Sequence, residues 1–241
     1  MRLVNETHAR RASPRPTAGF TLVELAVVLL ILGLLIGGLL VPLSAQIEQQ
    51  RVTQAQKQLS EIREALIGYA ILYGYLPCPT TTTDPNDANF GVADTNCSSP
   101  SAEGFLPWKT LGGLPEIDPW GIRRTAPSSP WIGYWRYRVD QNFANPSAPI
   151  TLSTTAADGL EIHDAKGNRI TTTGEPPVAI IYSTGKDAAP NGANGGAFDN
   201  IYQADVPNYE TEPPGSYFDD IAIWISRPAL MSRMIQAGRL P

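Results

Sequence analysis

An uninterrupted apolar run is the first strong pattern along the chain. No charged residue occurs from Leu25 to Ile47, a stretch of 23 positions in which almost every side chain is apolar. A helix of this length reaches about 34 Å, which is enough to cross the hydrocarbon core of a bilayer. Because the apolar character covers every face of the helix, the pattern favours a membrane span over a buried helix of a soluble protein.

A helical periodicity follows the apolar run. Apolar side chains recur in alternating steps of three and four among Gln, Glu and Arg, at Val52, Ala55, Leu59, Ile62, Leu66, Tyr69 and Tyr73. This stripe predicts an amphipathic helix over 48–75 that ends at Leu76-Pro77-Cys78-Pro79, where proline removes backbone donors. A short dimeric coiled coil would carry the same stripe. The stripe is short, and a strand-rich segment follows it at once. Both features favour packing of this helix on the chain's own domain.

Residues 76–241 show the pattern of a loop-rich β domain, with 19 of the 22 Pro and 15 of the 21 Gly. β-Branched and aromatic runs predict six strands. They are Tyr134–Val139, Ile150–Thr155, Leu160–His163, Arg169–Thr173, Val178–Tyr182 and Asp220–Ser226. Leu160–Thr173 is predicted to form a hairpin, and both faces of Asp220–Ser226 are predicted to be buried. Pro228–Ala237 is predicted to be a second amphipathic helix.

Charge divides the chain where the apolar run begins. The formal net charge is −5, but residues 1–19 carry four Arg and one Glu, which leaves 14 bases and 22 acids in the remainder. Positive residues ahead of an apolar segment predict a cytoplasmic N-terminus, with the residues after the span outside the cytoplasm. The acidic remainder, at a net charge of −8, argues against broad binding to nucleic-acid phosphates.

Glu24 interrupts the apolar character just before the run, one helical turn after Phe20. A carboxylate at the bilayer centre costs roughly 2.5–3.5 kcal/mol on insertion scales, and less near an interface. A plain signal anchor shares the basic start and the apolar segment but gives no reason for this residue. If the chain began at Phe20, an amino group would lie one turn from Glu24, or would face the Glu24 of a neighbouring subunit and neutralise it.

The residues around Glu24 carry a family resemblance. The segment Ala18-Gly19-Phe20-Thr21-Leu22-Val23-Glu24-Leu25 resembles the class III signal of type IV pilins and type II secretion pseudopilins. The resemblance implies that prepilin peptidase cuts between Gly19 and Phe20 and methylates the new N-terminal Phe20. It also implies that Glu24 is the buried carboxylate used in filament assembly.

Two further resemblances lie downstream of this segment. Gly33 and Pro42 resemble the residues that soften the pilin stem, although Pro42 is one residue later than usual. Asp118-Pro119-Trp120-Gly121 with Tyr134-Trp135-Arg136-Tyr137 resembles the D-P-W-G…Y-x-Y segment of major pseudopilins, and Ile181–Asp187 resembles their I-Y-S-x-G-x-D-G segment. The long insert within the first segment and the added C-terminal strand and helix point to a minor subunit or a divergent branch.

Cys78 and Cys97 are the two cysteines of the chain and enclose 18 residues. A disulfide is the default outside the cytoplasm, and two free thiols are the alternative. Closing a loop of this size stabilises a fold by about 3 kcal/mol in the chain-entropy model.

The loop Ser183–Asp205 is a candidate calcium site. The corresponding loop of major pseudopilins holds calcium, so the resemblance implies calcium ligands at Asp187, which matches directly, and at Asp199, which matches through the Gly-rich spacing. Calcium takes six to eight oxygen ligands, and glycines allow backbone carbonyls to turn inward. Lys186 brings a positive charge, and Asn, Asp and Gly also suit any solvated turn, so a metal-free turn is the alternative.

Catalysis is weakly supported by the sequence. His163 is the only His after the apolar run, and Glu161 and Asp164 beside it favour a solvated hairpin over a metal site. No G-x-S-x-G nucleophile elbow is present. Asp219 and Asp220 are expected to cap or edge the following strand rather than to form an acid pair. We therefore predict no catalytic residue and consider a membrane-anchored hydrolase the less favoured alternative.

A pilus-tip adhesin or a DNA-uptake subunit would share the stem and differ in the head. Arg136 and Arg138 lie near Trp131 and Tyr134-Trp135, which could stack single-stranded bases. Alternating aromatic residues in a strand more often serve core and edge packing. No nucleic-acid partner is expected.

The sequence thus predicts an α+β, pilin-like fold in which a long N-terminal helix, membrane-spanning in its first half, packs on an antiparallel β-sheet, with a short C-terminal helix. Residues 1–19 are predicted as a cytoplasmic leader that is removed, 20–47 as a transmembrane assembly helix, 48–75 as the amphipathic stem and 76–241 as a periplasmic head. The expected role is structural, in a type II secretion pseudopilus or a type IV pilus.

The same reasoning predicts where the protein resides and what it contacts. The expected location is the bacterial inner membrane as a single-pass protein or, in a pilus, outside the cell. The expected partners are prepilin peptidase, other pilin or pseudopilin subunits, inner-membrane lipid and the inner-membrane assembly platform. Calcium is the only cofactor that the residues suggest.

Overall fold

The computed structural model of the 241-residue chain describes residue 19 and residues 21–97, 103–195, 200–205 and 218–241, without the side chains of 36–43. Two predicted site residues, Phe20 and Asp199, lie outside the described residues. The chain divides into two compact units, Met1–Glu48 and Gln49–Pro241. The predicted α+β class is confirmed, with a long N-terminal helix, an antiparallel sheet and a short C-terminal helix.

Helix α1 covers Leu22–Tyr73, a length of 52 residues, and continues through Pro42 without a break. It ends three residues before Leu76, as the prolines predict. Gly74, with φ of 86°, follows the last helical residue and donates its N–H to the carbonyl oxygen of Ala70 over 2.8 Å. This left-handed residue satisfies one of the carbonyls that a helix end leaves without a partner.

Within Gln49–Pro241, the apolar stripe of α1 faces the core. Five members of the stripe are at most 7% exposed, namely Val52, Ala55, Leu59, Ile62 and Leu66. The prediction that this part of the helix packs on its own domain is confirmed. The stripe ends earlier than predicted, because Tyr73 is 54% exposed.

A four-stranded antiparallel sheet forms the centre of the second unit. Its strands are β1 (Glu103–Phe105), β2 (Arg136–Val139), β4 (Pro177–Ser183) and β6 (Ile221–Ser226), in the order β1-β2-β4-β6. Every residue of β4 is buried, as expected for a strand with neighbours on both edges and packing on both faces. Helix α2 (Arg227–Gln236) follows β6 directly and buries Leu230, Met231 and Met234.

The predicted hairpin over Leu160–Thr173 is only partly present. Strand β3 (Glu161–His163) pairs in parallel with β5 (Ile201–Gln203), while the expected return strand makes one isolated bridge between His163 and Arg169. Thr171 Oγ1 accepts the N–H of Ile162 over 3.2 Å, so a side chain takes the place of a ladder bond.

The prediction of a strand over Ile150–Thr155 is wrong, because this segment forms a turn. The N–H of Thr151 donates to Thr154 Oγ1 over 2.9 Å, and the N–H of Thr154 donates to the carbonyl of Thr151 over 3.0 Å. Threonine hydroxyls that bond the local backbone compete with pairing to another strand. Strands β1 and β5, which were not predicted, supply pairing elsewhere.

The two faces of the sheet carry separate apolar clusters. One face packs on α1 and α2, and the other face, with Ile180 and Tyr182, packs on Leu160, Ile162 and Tyr202. Alternate residues of β6 belong to the two clusters, so its predicted two-sided packing is confirmed, although its middle residues remain partly exposed.

Cys78 and Cys97 form the predicted disulfide, with 5.6 Å between their Cα atoms. Cys78 lies in the main core and is 4% exposed. The bond therefore ties the segment after α1 to the far end of the 79–97 loop.

Candidate functional site

The first turn of α1 contains the predicted assembly carboxylate. The N–H of Glu24 donates to Thr21 Oγ1 over 3.2 Å, and the N–H of Thr21 donates to Glu24 Oε2 over 3.1 Å. This reciprocal pair is a capping box, which satisfies two backbone donors that the start of a helix leaves without partners. A carboxylate at this end also complements the positive end of the helix dipole.

The helix that follows presents an apolar surface. The large apolar side chains described between Leu22 and Leu35 are 46% to 87% exposed. Apolar area of this extent marks a surface that contacts protein or lipid. Among the residues that the structure describes, however, no helix combines the length and the apolar character needed to cross a membrane. The span predicted for 20–47 is therefore not confirmed.

In the second unit, two buried carboxylates hold the loop that contains Asp187. Asp219 Oδ2 accepts the N–H of Lys186 over 2.6 Å and the N–H of Asp187 over 3.2 Å. Asp220 Oδ2 accepts the N–H of Asn191 over 2.9 Å and the side-chain amide of Asn194 over 2.8 Å. The two acids were expected to cap or edge β6. They do precede it, and their main role is to fix this loop.

The D-P-W-G segment joins the same region through Asp118. Its Oδ2 accepts the hydroxyl of Ser183 over 2.5 Å, and its Oδ1 accepts the N–H of Trp120 over 3.0 Å. Trp120 is partly buried and packs against the main core. Ser183, at the end of β4, is fully buried and therefore inaccessible as a nucleophile.

Close approach to Asp219 fixes the backbone at Gly185. Its φ is 61°, and a Cβ at this position would lie 2.5 Å from both the Cγ and the carbonyl oxygen of Asp219. Ala188 also has a positive φ, of 59°, and is the only non-glycine residue with one in the described part of the chain. A left-handed alanine costs roughly 1–2 kcal/mol, so the loop holds this conformation against a local preference.

Burial raises the pKa of the carboxyl groups of Asp118, Asp219 and Asp220. The pKa of Asp118 rises to about 6, although hydrogen bonds from Ser183 and Trp120 lower it. The pKa of Asp219 rises to about 6, through burial and then through the charge of Asp187. Burial also raises the pKa of Asp220 to about 7 against the hydrogen bonds from its Asn partners. The cluster therefore exchanges protons near neutral pH.

Of the two predicted calcium ligands, the structure describes Asp187. No group of three or more His, Cys, Asp or Glu is placed to hold a metal within the described ranges. Both Asp187 oxygens accept hydrogen bonds, from the N–H of Ala189 over 2.8 Å and from the side chain of Asn191 over 3.0 Å. Calcium ligation by Asp187 and Asp199 stays a prediction.

The weak catalytic candidates form structural contacts. His163 Nε2 lies 2.8 Å from Glu161 Oε2, and Arg169 pairs with the other oxygen of Glu161 over 3.0 Å. Asp164 accepts the N–H groups of Lys166 and Asn168 and so closes the predicted turn. This agrees with the hairpin-face interpretation of the three residues.

The aromatic strand packs mainly into the core. Arg138 and Trp135 are fully buried, and Arg138 lies 3.6 Å from Asp158. Arg136 donates through Nε to Glu103 Oε1 over 3.0 Å. Burial of Arg138 and Trp135 and the ion pair between Arg136 and Glu103 favour the interpretation that this strand serves core and edge packing.

Comparison with known proteins identifies the N-terminal segment. Residues 14–40 match the family model described as the prokaryotic N-terminal methylation motif, the signal of type IV pilins and pseudopilins. Neither a curated protein nor a solved structure matches the chain. The resemblance at Gly19–Glu24 is thus confirmed, and the motif supports a type IV pilin-like or pseudopilin subunit, which suggests a structural protein. The resemblance of residues 118–187 to major pseudopilins stays a prediction.

Proposed function

We propose that this chain is a filament subunit of a type II secretion pseudopilus or a type IV pilus, with a pilin-like fold. The observation that carries the proposal is the methylation motif over 14–40. In this proposal prepilin peptidase removes residues 1–19 and methylates Phe20, and an inner-membrane assembly platform adds the subunit to a filament.

Residues 20–47 form the membrane-embedded assembly segment in this proposal. The argument rests on the sequence, which has no charge from Leu25 to Ile47 and four Arg within residues 1–19. The exposed apolar side chains between Leu22 and Leu35 give the segment a surface suited to lipid and to neighbouring stems. The Cys78–Cys97 disulfide suits a head outside the cytoplasm.

Glu24 exchanges one partner for another during assembly. Before processing, Thr21 holds the carboxylate at the start of α1. Cleavage after Gly19 would create a positive amino group at Phe20, one turn away. The amino group of a neighbouring subunit can then pair with Glu24 where water is excluded, so the charged pair is favourable only between correctly placed stems.

Mass spectrometry of the membrane fraction tests the proposal in cells that produce prepilin peptidase. We expect a chain that starts at N-methylated Phe20. Gly19→Val should block cleavage, because the peptidase accepts only the smallest residue before the cut. Gly33→Val is the matched control, since an added Cβ at Gly33 meets no atom within 4 Å. Equal processing of Gly19→Val and the control would overturn the proposal.

A further inference from the structure

A groove at one edge of the central sheet offers a docking surface. It is an open groove of about 580 Å³ between the second half of α1, strand β6 and helix α2. Ile67, Ile223 and Ile225 line its wall, and Arg63, Glu64 and Arg233 lie at its rim. Strand β6 is the last strand of the sheet, and no described strand pairs with its outer edge.

The rim of this groove carries an excess positive charge. Arg233 Nη2 lies 2.6 Å from Glu64 Oε2, and Arg63 Nη2 lies 3.9 Å from the other oxygen of Glu64. All three side chains are between 43% and 47% exposed. One carboxylate therefore serves two guanidinium groups, and one positive charge remains to attract an acidic partner.

The opposite edge of the sheet carries an acidic loop, residues 79–97. Thr80 bridges to Phe105, so the loop begins on the outer side of β1. The loop contains Asp84, Asp87 and Asp94 and no base. No described Lys, Arg or His forms an ion pair with these acids; the aspartates instead accept hydrogen bonds within the loop.

Two cations lie close to this loop and reduce its excess charge. Lys109 lies over the ring of Phe90, 6.0 Å from its centre, and Arg124 donates to the carbonyl of Thr83 over 2.8 Å. Three acids against these two bases still leave one negative charge. The tip at 86–89 is exposed, and the Cys78–Cys97 disulfide closes the loop, so the charge is presented from a constrained segment.

We propose that the acidic loop of one copy docks on the groove of a second copy. The two surfaces lie at opposite edges of one sheet, so they cannot meet within one chain. A contact between different surfaces of identical chains is heterologous, and repeated without closure it generates an open helical array. This inference rests on the proposed function for its choice of a second copy, and it adds a contact between heads to the contact between stems.

Photo-crosslinking of the full-length chain in membranes of producing cells tests the contact. A photoreactive amino acid replaces Ser232, an exposed residue at the groove, and Lys166, an exposed residue in the turn after β3, serves as the control position. We expect an adduct of twice the subunit mass from position 232 only. Peptide analysis of that adduct should identify residues 79–97 of the second copy.

Charge exchange gives the sharper readout. Arg63→Glu with Arg233→Glu should lower the adduct yield roughly tenfold, and so should Asp84→Lys with Asp87→Lys, because each places like charges opposite one another. Coexpression of the two double variants, with the photoreactive residue on the groove-reversed chain, should restore the adduct. Restoration excludes misfolding as the cause of either loss.

Three results would overturn the docking inference. They are an adduct whose peptides come from outside 79–97, an adduct with a different protein or with lipid, and failure of the charge-exchanged pair to recover. Mass spectrometry of the same membranes distinguishes a failure of the docking contact from a failure of the proposed function. A chain that starts at Phe20 but gives no adduct removes only the docking contact. If the adduct forms although every chain in these membranes retains residues 1–19, docking is supported and the proposed function is removed.

Discussion

Thr21 and Glu24 hold each other by hydrogen bonds in both directions across the first turn of α1, over 3.1 and 3.2 Å. The carboxylate of Glu24 thus serves as a helix cap within its own chain. Glutamine can replace glutamate in a capping box, so the cap and the charge can be separated by one substitution.

Glu24→Gln should keep the start of α1 intact and still impair filament incorporation, because a neutral amide cannot pair with the amino group of a neighbouring subunit. Glu24→Ala, which removes both the cap and the charge, should impair incorporation at least as much. Cleavage after Gly19 should continue in both variants. Co-purification with filament subunits measures incorporation, and normal assembly of the Gln variant would show that the charge is not required.

The buried carboxyl of Asp220 should make stability depend on pH. Its pKa is about 7 in the folded protein and about 3.9 in an unfolded chain, so the folded state binds the proton more tightly between these values. The contribution of this group to the free energy of unfolding is therefore complete below pH 4 and is lost as the pH rises through 7.

Asp220→Asn removes this titration while keeping the Oδ atom that accepts hydrogen bonds. Between pH 5 and pH 8 the variant should gain on the wild type by about 1 kcal/mol or more, since one pKa unit corresponds to about 1.4 kcal/mol. Thermal melting of the full chain in detergent with chelator measures the difference. Asp87→Asn, in the exposed loop, removes an equal charge as a control. Parallel curves for wild type and Asp220→Asn would refute the prediction.

Gly185→Ala should destabilise the fold more than a left-handed alanine alone would. At Gly167, where φ is 79° and an added Cβ meets nothing within 4 Å, we expect only the conformational cost of about 1–2 kcal/mol. At Gly185 the new Cβ would also collide with Asp219, which sits 2.5 Å away. Denaturant unfolding of both variants compares the costs, and equal losses would mean that the loop moves freely away from Asp219.

The Cys78–Cys97 bond should contribute about 3 kcal/mol to stability. Replacement of both residues by serine should lower the unfolding free energy by that order. The intact mass under non-reducing conditions should be lower than the mass after reduction by two hydrogen atoms. Labelling of both residues by a thiol reagent in freshly isolated, unreduced protein would contradict the bond.

Calcium ligation by Asp187 and Asp199 remains testable by melting. If the loop binds calcium, the full chain in detergent should melt at a higher temperature in millimolar calcium than in chelator, by mass action on the folded state. Asp187→Ala should abolish that shift. Asp94→Ala, in the acidic loop, is the control for general charge loss. Equal melting temperatures for the wild type in the two buffers would leave the loop as a metal-free turn.

Helix α1 and its packing could be predicted because their signals are local. The period of the stripe from Val52 to Leu66 and the prolines after Tyr73 determine which residues face the core and where the helix stops. The same holds for β4 and β6, which are rich in isoleucine. Strand β1 carries no such signal, since Glu103–Phe105 contains only three residues, with glycine in the middle.

The contacts that hold the loop after β4 could not be predicted from local sequence patterns. Asp219 binds backbone groups 33 and 32 positions earlier in the chain, and Ser183 meets Asp118 across 65 positions. No spacing in the sequence predicts these contacts, because they form only when the sheet places β4 beside β6. Glu24 was accessible from the sequence since its motif is contiguous, whereas its pairing with Thr21 depends on the helix starting at Leu22.

The position of β4 between β2 and β6 also governs how the head completes itself during synthesis. A nascent chain emerges from its N-terminus, so β4 first has only β2 beside it. Its second neighbour, Ile221–Ser226, is synthesised only after the whole segment that follows Ser183. Until then Ile180 and Ile181 have no strand on one side. The loop after Ser183 also lacks the hydrogen bonds to Asp219 and Asp220. The four-stranded sheet therefore closes only once β6 has been synthesised, and until then β4 presents an unpaired edge to other chains.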